Sequence, residues 1–302
     1  MENLRIGLIG LGTVGCGVYK TLRNVNGIDI KKIAVKNINK PRSVEVAPDL
    51  LTDNPYEIVN NPEIDVVVEL IGGVDAAWDY ISAAIKNGKH IVTANKELLA
   101  KKGEELFNLA EEYNRVVLYE AAIAGGIPII MPIKTILAGN SINKIQAILN
   151  GTTNYILTKM DVDGASYEEV LKEAQELGYA ETDPTGDVEG FDAAYKITTL
   201  ATIAFKTRIK IENVYREGIT KIRKEDMAQA NEFGYKIKLI ASATIDDEGN
   251  ADEREFILCS YLKKLCLLTS IMLQMQSPCQ DTLSEILFYQ GQEQGNFRQQ
   301  VL

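Results

Sequence analysis

The chain has 302 residues, enough for two domains with a sizeable core. Its hydrophobic and charged contents, 46% and 25%, are typical of a globular protein, and a net charge of −10 argues against nucleic acid or an anionic membrane as a main partner. The start MENLRIGLIG is not typical of a signal peptide, and the apolar window 121–133 is too short for a bilayer span, so we expect a cytoplasmic protein.

The first predicted strand, residues 4–9, leads directly into a glycine-rich turn and a helix that ends near Arg23. Gly10, Gly12 and Gly15 have the spacing G-x-G-x-x-G, and the order strand, turn, helix is the context that makes this spacing informative. Gly10 would permit the tight turn, Gly12 would let the backbone approach a pyrophosphate, and Gly15 would allow close helix packing. The sequence therefore predicts a dinucleotide site here.

The second predicted strand ends at Lys36-Asn37. A site that selects NAD usually has Asp or Glu near this point, which binds the ribose hydroxyls. Here a cation takes that place, and Lys40 and Arg42 follow closely. This favours the 2′-phosphate of NADP, although short cationic loops are also common on protein surfaces.

Strands and helices then alternate up to about residue 130. We predict strands at 64–73 and 90–95, a strand followed by a glycine turn within 116–126, and helices at 76–87 and 97–113. This alternation predicts an α/β fold with a Rossmann-type doubly wound parallel sheet, and a dinucleotide-binding domain over 1–130. Ligands of such sheets bind beyond the carboxyl ends of the strands, where Thr93, Lys96 and residues 120–126 fall.

After residue 130 the pattern changes to an α+β arrangement over 131–250. We predict a strand before a polar turn at 150–154, and then a helix capped by Thr or Asn. An amphipathic helix is predicted at 167–178, and a strand at 209–215.

The stretch 178–196 combines several carboxylates with one lysine. From Asp192 onward the sequence has the apolar spacing of a helix that faces a core, and Lys196 lies within that apolar stripe. A lysine there must be desolvated or paired, and Asp192 one turn earlier is the natural partner. Such a lysine is a candidate acid or base, while a structural ion pair or a merely solvated charged loop is the alternative interpretation.

The chain resembles the homoserine dehydrogenases in family order and spacing over residues 4–200. The resemblance implies NAD(P)-dependent interconversion of L-homoserine and L-aspartate 4-semialdehyde, a step toward threonine and methionine, by a cytosolic homodimer. It assigns substrate binding and dimerisation to the second domain. The stretches that are similar are GLIGLGTVG, AVKNINKPR, VVELIGG, TANKELLA, YEAAIAGGIPII, LNGTTNYILTKM and GYAETDPTGDVEGFDAAYK.

The resemblance also implies roles for individual residues. Lys196 would donate or accept the proton of the reaction. Asp192 would orient Lys196, and Lys96 would be a second active-site lysine. Glu181 and Asp187 match carboxylates that contact the substrate, which suits a substrate with an ammonium group. Together with the glycine loop and the sheet edge, the expected cofactor contacts are Gly10, Gly12, Thr13, Val14, Gly15, Lys36, Thr93 and Lys96.

A monovalent-cation loop, normally for Na⁺, is implied as well, bound mainly through backbone carbonyls. The residues alone indicate only a turn at the end of a strand. The matching positions are Glu120, Ile123, Gly125 and Ile127.

The resemblance ends near Ala251, and residues 251–302 form a tail that lacks the family's closing motifs. In the family this part completes both domains, so we expect the active-site cleft to lose part of its covering, and no regulatory domain is expected to follow. Plausible codons for the ending QGQEQGNFRQQVL, read one base out of frame, give the missing glycine- and alanine-rich motif. We therefore hypothesise a frameshift near residues 252–256, which sequencing of that DNA would test.

Two rival functions remain at this point. The altered tail is consistent with a catalytically impaired NADP-binding relic. A semialdehyde dehydrogenase that acylates a cysteine would need a Cys/His pair in the substrate domain, but up to residue 250 the chain offers only Cys16, inside the phosphate loop. The four cysteines also lack metal-type spacing, and the single histidine, His90, is expected to serve packing.

Overall fold

The structure is a computed structural model that describes residues 3–245, 260–263, 270–276 and 284–290. The chain divides into two compact units, with the change from one to the other between Gly125 and Gly126. Each unit has its own sheet and its own buried apolar side chains.

The first unit contains a six-stranded sheet in the order β3-β2-β1-β4-β5-β6, and every neighbouring pair of strands is parallel. This confirms the predicted Rossmann-type sheet, because the order reverses between β1 and β4. The strands are β1 (Leu4–Ile9), β2 (Ile28–Ala34), β3 (Leu51–Thr52), β4 (Val66–Glu69), β5 (His90–Thr93) and β6 (Val117–Leu118).

Helices cover this sheet, so its central strands are buried on both faces. All four residues of β4 are buried, as the continuous apolar run in the sequence predicts. The helices are α1 (Thr13–Leu22), α2 (Tyr56–Val59), α3 (Asp75–Lys86) and α4 (Lys96–Glu112), with short 3₁₀ turns at Pro48–Leu50 and Glu120–Ala122.

The second unit is α+β, as predicted. Its helices are α5 (Ile130–Lys134), α6 (Gly151–Asp163), α7 (Tyr167–Glu176), α8 (Thr185–Val188), α9 (Phe191–Phe205) and α10 (Lys224–Glu232), with a 3₁₀ turn at Ile211–Asn213. Its strands are β7 (Ser141–Ala147), β8 (Tyr235–Lys238), β9 (Ala241–Thr244), β10 (Ser260–Lys263), β11 (Ser270–Gln276) and β12 (Ser284–Gln290).

The strands of the second unit form two antiparallel sheets. One has the order β12-β11-β7-β9, and the other pairs β8 with β10. Helices α6 and α7 pack through side chains such as Ile156, Leu157 and Val170, all at most 1% exposed. Removing apolar side chains such as these from water is the main favourable contribution to the folding of the unit.

Two predicted strands differ from the structure. The strand expected at 209–215 is wrong, because this segment has only the 3₁₀ turn Ile211–Asn213 and extended backbone on either side. Of the strand and glycine turn expected within 116–126, the strand is limited to Val117–Leu118, since the 3₁₀ turn Glu120–Ala122 follows almost at once.

The tail predictions fall largely outside the described residues, and residues 252–256 of the frameshift hypothesis lie there entirely. Three tail segments are described as β10, β11 and β12. β11 pairs with β7 from Gln276 opposite Ser141 to Ile271 opposite Ala147. The tail therefore supplies strands to both sheets of the second unit.

Among the described residues, no helix combines the length and the apolar character needed to cross a membrane.

Candidate active site

The glycine turn between β1 and α1 has the geometry that its spacing predicts. Gly10 has φ +108°, and a Cβ there would lie 2.7 Å from the carbonyl oxygen of Leu70. A Cβ at Gly15 would clash with the carbonyl oxygen of Gly10, whereas a Cβ at Gly12 would meet nothing within 4 Å. Gly10 and Gly15 therefore permit close packing, and Gly12 leaves open space beside the turn.

Helix α1 begins at Thr13 with main-chain N–H groups available to an anion. Its N-cap, Gly12, has no side chain that could cap these groups, and the first turn contains no acidic residue. The dipole of this ten-residue helix adds a partial positive charge at the same end. Thr13 is exposed and Val14 is half-buried, so both are accessible from the open side of the turn.

A hydrogen-bonded network lies at the carboxyl ends of β4 and β5, and of its side chains the sequence predicts only that of Thr93 as a site residue. Glu69 is completely buried, and it accepts from the main-chain N–H groups of Ile71 and Gly72 and from the hydroxyl of Thr93, the last at 2.6 Å. The N–H of Asn95 donates to the same hydroxyl. Thr93 is fully buried, so its side chain supports this edge of the sheet rather than offering an exposed hydroxyl to a ligand.

Lys96 is the first residue of α4, directly after this network. Asn95 caps the helix by accepting from the N–H of Leu98 at 3.0 Å. Lys96 is half-buried and lies, as predicted, where β5 turns into a helix.

The loop after β2 contains the three cations predicted there, Lys36, Lys40 and Arg42. Lys36 and Lys40 are exposed. The guanidinium of Arg42 instead donates to the carbonyl oxygens of Ile38, Lys40 and Asn37, at 2.9, 2.8 and 2.5 Å. Arg42 thus fixes the shape of the loop, while the two lysines extend from it.

The predicted ion pair of the second unit is present in the structure. The ammonium of Lys196 lies 2.9 Å from Asp192 Oδ2 and donates to the carbonyl oxygen of Leu149 at 2.6 Å. The side chains of Lys196 and Asp192 are only 12% and 4% exposed. Both residues lie on α9, four residues apart, so the helix geometry alone brings them together.

Asn150 joins this ion pair to a second carboxylate, a link between distant segments that the sequence does not predict. Its amide nitrogen donates to Asp187 Oδ1 at 2.7 Å and to Asp192 Oδ2 at 2.9 Å. Its amide oxygen accepts from the N–H of Thr153 and so caps α6. The sequence left the cap open between Thr and Asn after a turn at 150–154, whereas α6 begins within that turn, at Gly151.

The two predicted substrate carboxylates lie in the segment before α9. Asp187 is half-buried on α8 and is held by Asn150, whereas Glu181 is exposed in the preceding turn. The amide of Gln175 donates to the main-chain oxygen of Glu181 at 3.1 Å, which anchors that turn to α7.

The predicted cation loop, 120–127, has an unusual backbone. Ala124 and Gly125 adopt consecutive left-handed conformations, with φ of +60° and +56°. A left-handed alanine is energetically costly, and such conformations concentrate at functional sites. Burial raises the pKa of the adjacent Tyr119 to about 12, and the charge of Glu120 acts in the same direction.

A glycine turn of this geometry, at the reversal point of a six-stranded parallel sheet, defines a dinucleotide-binding protein. Comparisons with known families agree. Residues 10–120 match a family model described as "Homoserine dehydrogenase, NAD binding domain", and residues 128–284 match one described as "Homoserine dehydrogenase". The chain belongs to the homoserine dehydrogenase family, and the second match continues past Ala251 into the tail.

Individual relatives are similar over most of this chain. A homoserine dehydrogenase of Synechocystis sp. is 48% identical over 257 residues, which are 83% of this chain and 58% of that protein. One of Bacillus subtilis is 44% identical over 255 residues, or 82% and 59% of the two chains. A crystal structure of a homoserine dehydrogenase from Thiobacillus denitrificans superposes with a TM-score of 0.85 at 40% identity and covers 96% of this chain and 69% of that chain. The chain thus spans less than two thirds of the length of the two curated relatives.

Proposed function

We propose that this chain interconverts L-homoserine and L-aspartate 4-semialdehyde with a nicotinamide cofactor, as part of threonine and methionine biosynthesis. The observation that most supports the proposal is the nearly buried Lys196–Asp192 pair, joined through Asn150 to Asp187, in a chain of the homoserine dehydrogenase family. A group that can transfer a proton lies there beside carboxylates suited to an amino-acid substrate.

In this proposal Lys196 is the proton donor when the aldehyde is reduced. Negative charge develops on the carbonyl oxygen as hydride arrives, and an ammonium held in a poorly solvated site stabilises that charge and supplies the proton. Asp192 keeps the lysine oriented and balances its charge. In the direction of alcohol oxidation the neutral amine accepts the hydroxyl proton instead.

Asp187 and Glu181 are proposed to bind the substrate's ammonium group. A carboxylate attracts an ammonium group strongly where water is partly excluded, as it is around the half-buried Asp187. Glu181 is exposed on the turn that leads into α8, where it can add a second contact as substrate enters. Fixing the amino end of the substrate orients the reacting carbon.

The residues of the first unit fit a bound dinucleotide. Thr13, Val14 and the glycine turn would hold the pyrophosphate, with Gly12 leaving room for it. When bound, the nicotinamide supplies or accepts the hydride. Lys96, at the start of α4 near the same edge of the sheet, is proposed as the second lysine of the active site.

We further propose that NADP is preferred over NAD. Lys36 and Lys40 are exposed on the loop after β2, which Arg42 holds in shape. Two cations there suit a 2′-phosphate.

The Lys36→Asp variant should raise the KM for NADPH by about tenfold or more, with a smaller effect on the KM for NADH. An unchanged ratio of the two KM values would remove the proposed preference.

The loop 120–127 is proposed to bind a monovalent cation such as Na⁺. Its candidate ligands are the carbonyl oxygens of Ile123, Gly125 and Ile127, with Glu120 beside them, and hard oxygen donors suit such a cation. The left-handed backbone at Ala124 and Gly125 supports this assignment.

A cytoplasmic homodimer is likewise part of the proposal, by analogy with the family.

The proposed activity is tested by following NADPH oxidation with aspartate 4-semialdehyde as substrate. Lys196→Ala should lower kcat by about 10²- to 10⁴-fold and leave the dissociation constant of NADPH nearly unchanged, because the lysine acts on the substrate oxygen. NADPH binding without turnover in the native chain would instead support the impaired relic.

A further inference from the structure

Asn150 uses all the hydrogen-bonding capacity of its side chain. Its two N–H groups go to Asp187 and Asp192, and its oxygen accepts from both the N–H and the hydroxyl of Thr153, at 2.8 and 2.9 Å. The opposite amide orientation would place its oxygen against two carboxylates, so the network fixes which way the amide points. At 5% exposure, water is a poor substitute for any of these bonds.

Leu149, the residue before Asn150, holds the lysine of the same ion pair. The carbonyl oxygen of Leu149 accepts a hydrogen bond from Lys196 at 2.6 Å. Asp192 Oδ2 accepts from both Lys196 Nζ and Asn150 Nδ2. Two consecutive residues between β7 and α6 therefore hold the lysine and its carboxylate. Because Asn150 also caps α6, the position of this short segment is set by the helix itself.

Asp187 and Asp192 lie on different helices, α8 and α9, and bear the same charge. A neutral amide that donates to both offsets part of their repulsion and fixes how far apart the two groups lie. In the proposed reaction Asp187 binds the amino end of the substrate, while Asp192 holds the lysine that acts at the other end. Their separation therefore determines where a bound substrate presents its reacting oxygen.

We propose that Asn150 is a positioning residue, whose amide sets the distance between the ammonium-binding carboxylate Asp187 and the Lys196–Asp192 proton donor. This inference rests on the proposed function for the roles of these three residues. The hydrogen bonds themselves do not depend on it.

Two substitutions separate this role from capping. Asn150→Ser keeps an oxygen that can cap α6 but cannot bridge two carboxylates, and Asn150→Asp keeps both size and cap while a carboxylate replaces the donor. We expect kcat for aldehyde reduction to fall about tenfold in the first and about 10²-fold in the second, with the dissociation constant of NADPH changed by less than about twofold. Ser166→Ala removes the cap of α7 in the same unit and should leave kcat within about twofold.

A second measurement does not require turnover. Lys196 is labelled with an amine-reactive reagent across a pH series, and its modification is quantified by peptide mass spectrometry. The added carboxylate of Asn150→Asp would contact Asp187 and Asp192 and lie near Lys196, so it should favour the ammonium form and move the labelling of Lys196 to higher pH. Ser166→Ala should leave that labelling where it is in the native chain.

The outcomes distinguish the two proposals. A native chain that does not reduce the aldehyde contradicts the proposed function, and the labelling experiment then decides the role of Asn150 by itself. If the native chain is active but both Asn150 variants keep its kcat, or if the labelling of Lys196 in Asn150→Asp is unchanged, Asn150 does not position the lysine. A correlated loss of kcat and shift in labelling supports the inference.

Discussion

Lys238, at the end of β8, is another lysine of the second unit, with partners unlike those of Lys196. Its ammonium donates to neutral oxygens, Asn154 Oδ1 at 2.9 Å and Thr158 Oγ1 at 2.6 Å. Burial lowers the pKa of Lys238 to about 8, while the charge of Asp161 opposes this shift and that of Lys236 adds to it. The folded state therefore disfavours a charge that the unfolded chain accepts.

The Lys238→Met variant should reveal this through the pH dependence of stability. Because the folded pKa of Lys238 lies below its unfolded value of 10.5, the unfolded chain binds more protons between pH 8 and 10.5. Below pH 8 the buried charge of Lys238 lowers the free energy of unfolding. As the pH rises from 8 to 10.5 this cost is relieved, so the free energy of unfolding increases by up to about 1.4 kcal/mol per pH unit. The variant should lose that gain in urea unfolding.

Lys172→Met provides a matched control, since Lys172 is 78% exposed on α7. Its unfolding free energy should follow that of the native chain across the same pH range. If the curves of Lys238→Met and the native chain also run parallel, the charge on Lys238 is not suppressed by folding.

At the scale of single residues, what the sequence predicted depended on distance along the chain. Asp192 and Lys196 are four residues apart on one helix, so their ion pair could be predicted from spacing. Asn150 lies 37 and 42 residues from Asp187 and Asp192. The sequence predicts a cap by Thr or Asn at the turn 150–154 without saying which residue, and Asn150 provides it. Its contacts with the carboxylates depend on how β7, α8 and α9 pack.

The connection between β1 and α1 is the element that the sequence described most completely. Its glycines form one short local turn, and the physical requirement at each position follows from neighbours a few residues away. The segment 209–215 shows the opposite case. Its apolar residues suit a strand, but a strand also needs a neighbour to pair with, and here the N–H of Ile209 instead meets the hydroxyl of Thr202 at 3.4 Å.

Alanine at Gly15 should mainly lower the stability of the fold, whereas alanine at Gly12 should mainly weaken cofactor binding. Gly15→Ala should destabilise the fold by about 1–3 kcal/mol, because its Cβ would clash with the carbonyl oxygen of Gly10. Gly12 has an ordinary φ of −80° and open space beside it, so Gly12→Ala should lower stability by less than about 1 kcal/mol, the cost of a poorer N-cap. A methyl group there would obstruct the pyrophosphate, and the KM for NADPH should rise about tenfold or more.

Thermal unfolding and initial rates of both variants, measured in parallel, check this pair of predictions. Gly17→Ala is the control, since a Cβ at Gly17 also meets nothing within 4 Å but lies within α1, beyond its first turn. An unchanged KM in Gly12→Ala would mean that the phosphates do not approach this side of the turn.

At the scale of the whole molecule, the tail takes part in the sheet that leads to the candidate active site. Ala147, the last residue of β7, is paired with Ile271 of β11 on one side and Ala241 of β9 on the other. Leu149, two residues later, accepts the hydrogen bond of Lys196. The sequence did not predict this, because the pairing joins segments more than 120 residues apart and the tail lacks the family motifs that would have indicated it.

A proline in β11 tests whether the tail strand supports the second unit. Leu273 is opposite Ile145 of β7 and Leu287 of β12, so Leu273→Pro puts a residue without an N–H into a strand that is paired on both sides. We expect at least a tenfold loss of turnover and a lower unfolding temperature for the second unit, whereas the dissociation constant of NADPH should stay within about threefold of the native value. In the proposed function NADPH binds at the six-stranded sheet, which forms within the first unit.

NADPH fluorescence titration and calorimetry measure the two effects separately, and Leu273→Val is the control because it retains the main-chain donor. Native turnover in Leu273→Pro would mean that the tail does not stabilise the segment from β7 to Leu149. A parallel loss of NADPH affinity would instead mean that the two units do not fold independently. Loss of turnover with retained NADPH binding would place the effect of the tail where β11 pairs with β7, next to the residues that hold Lys196.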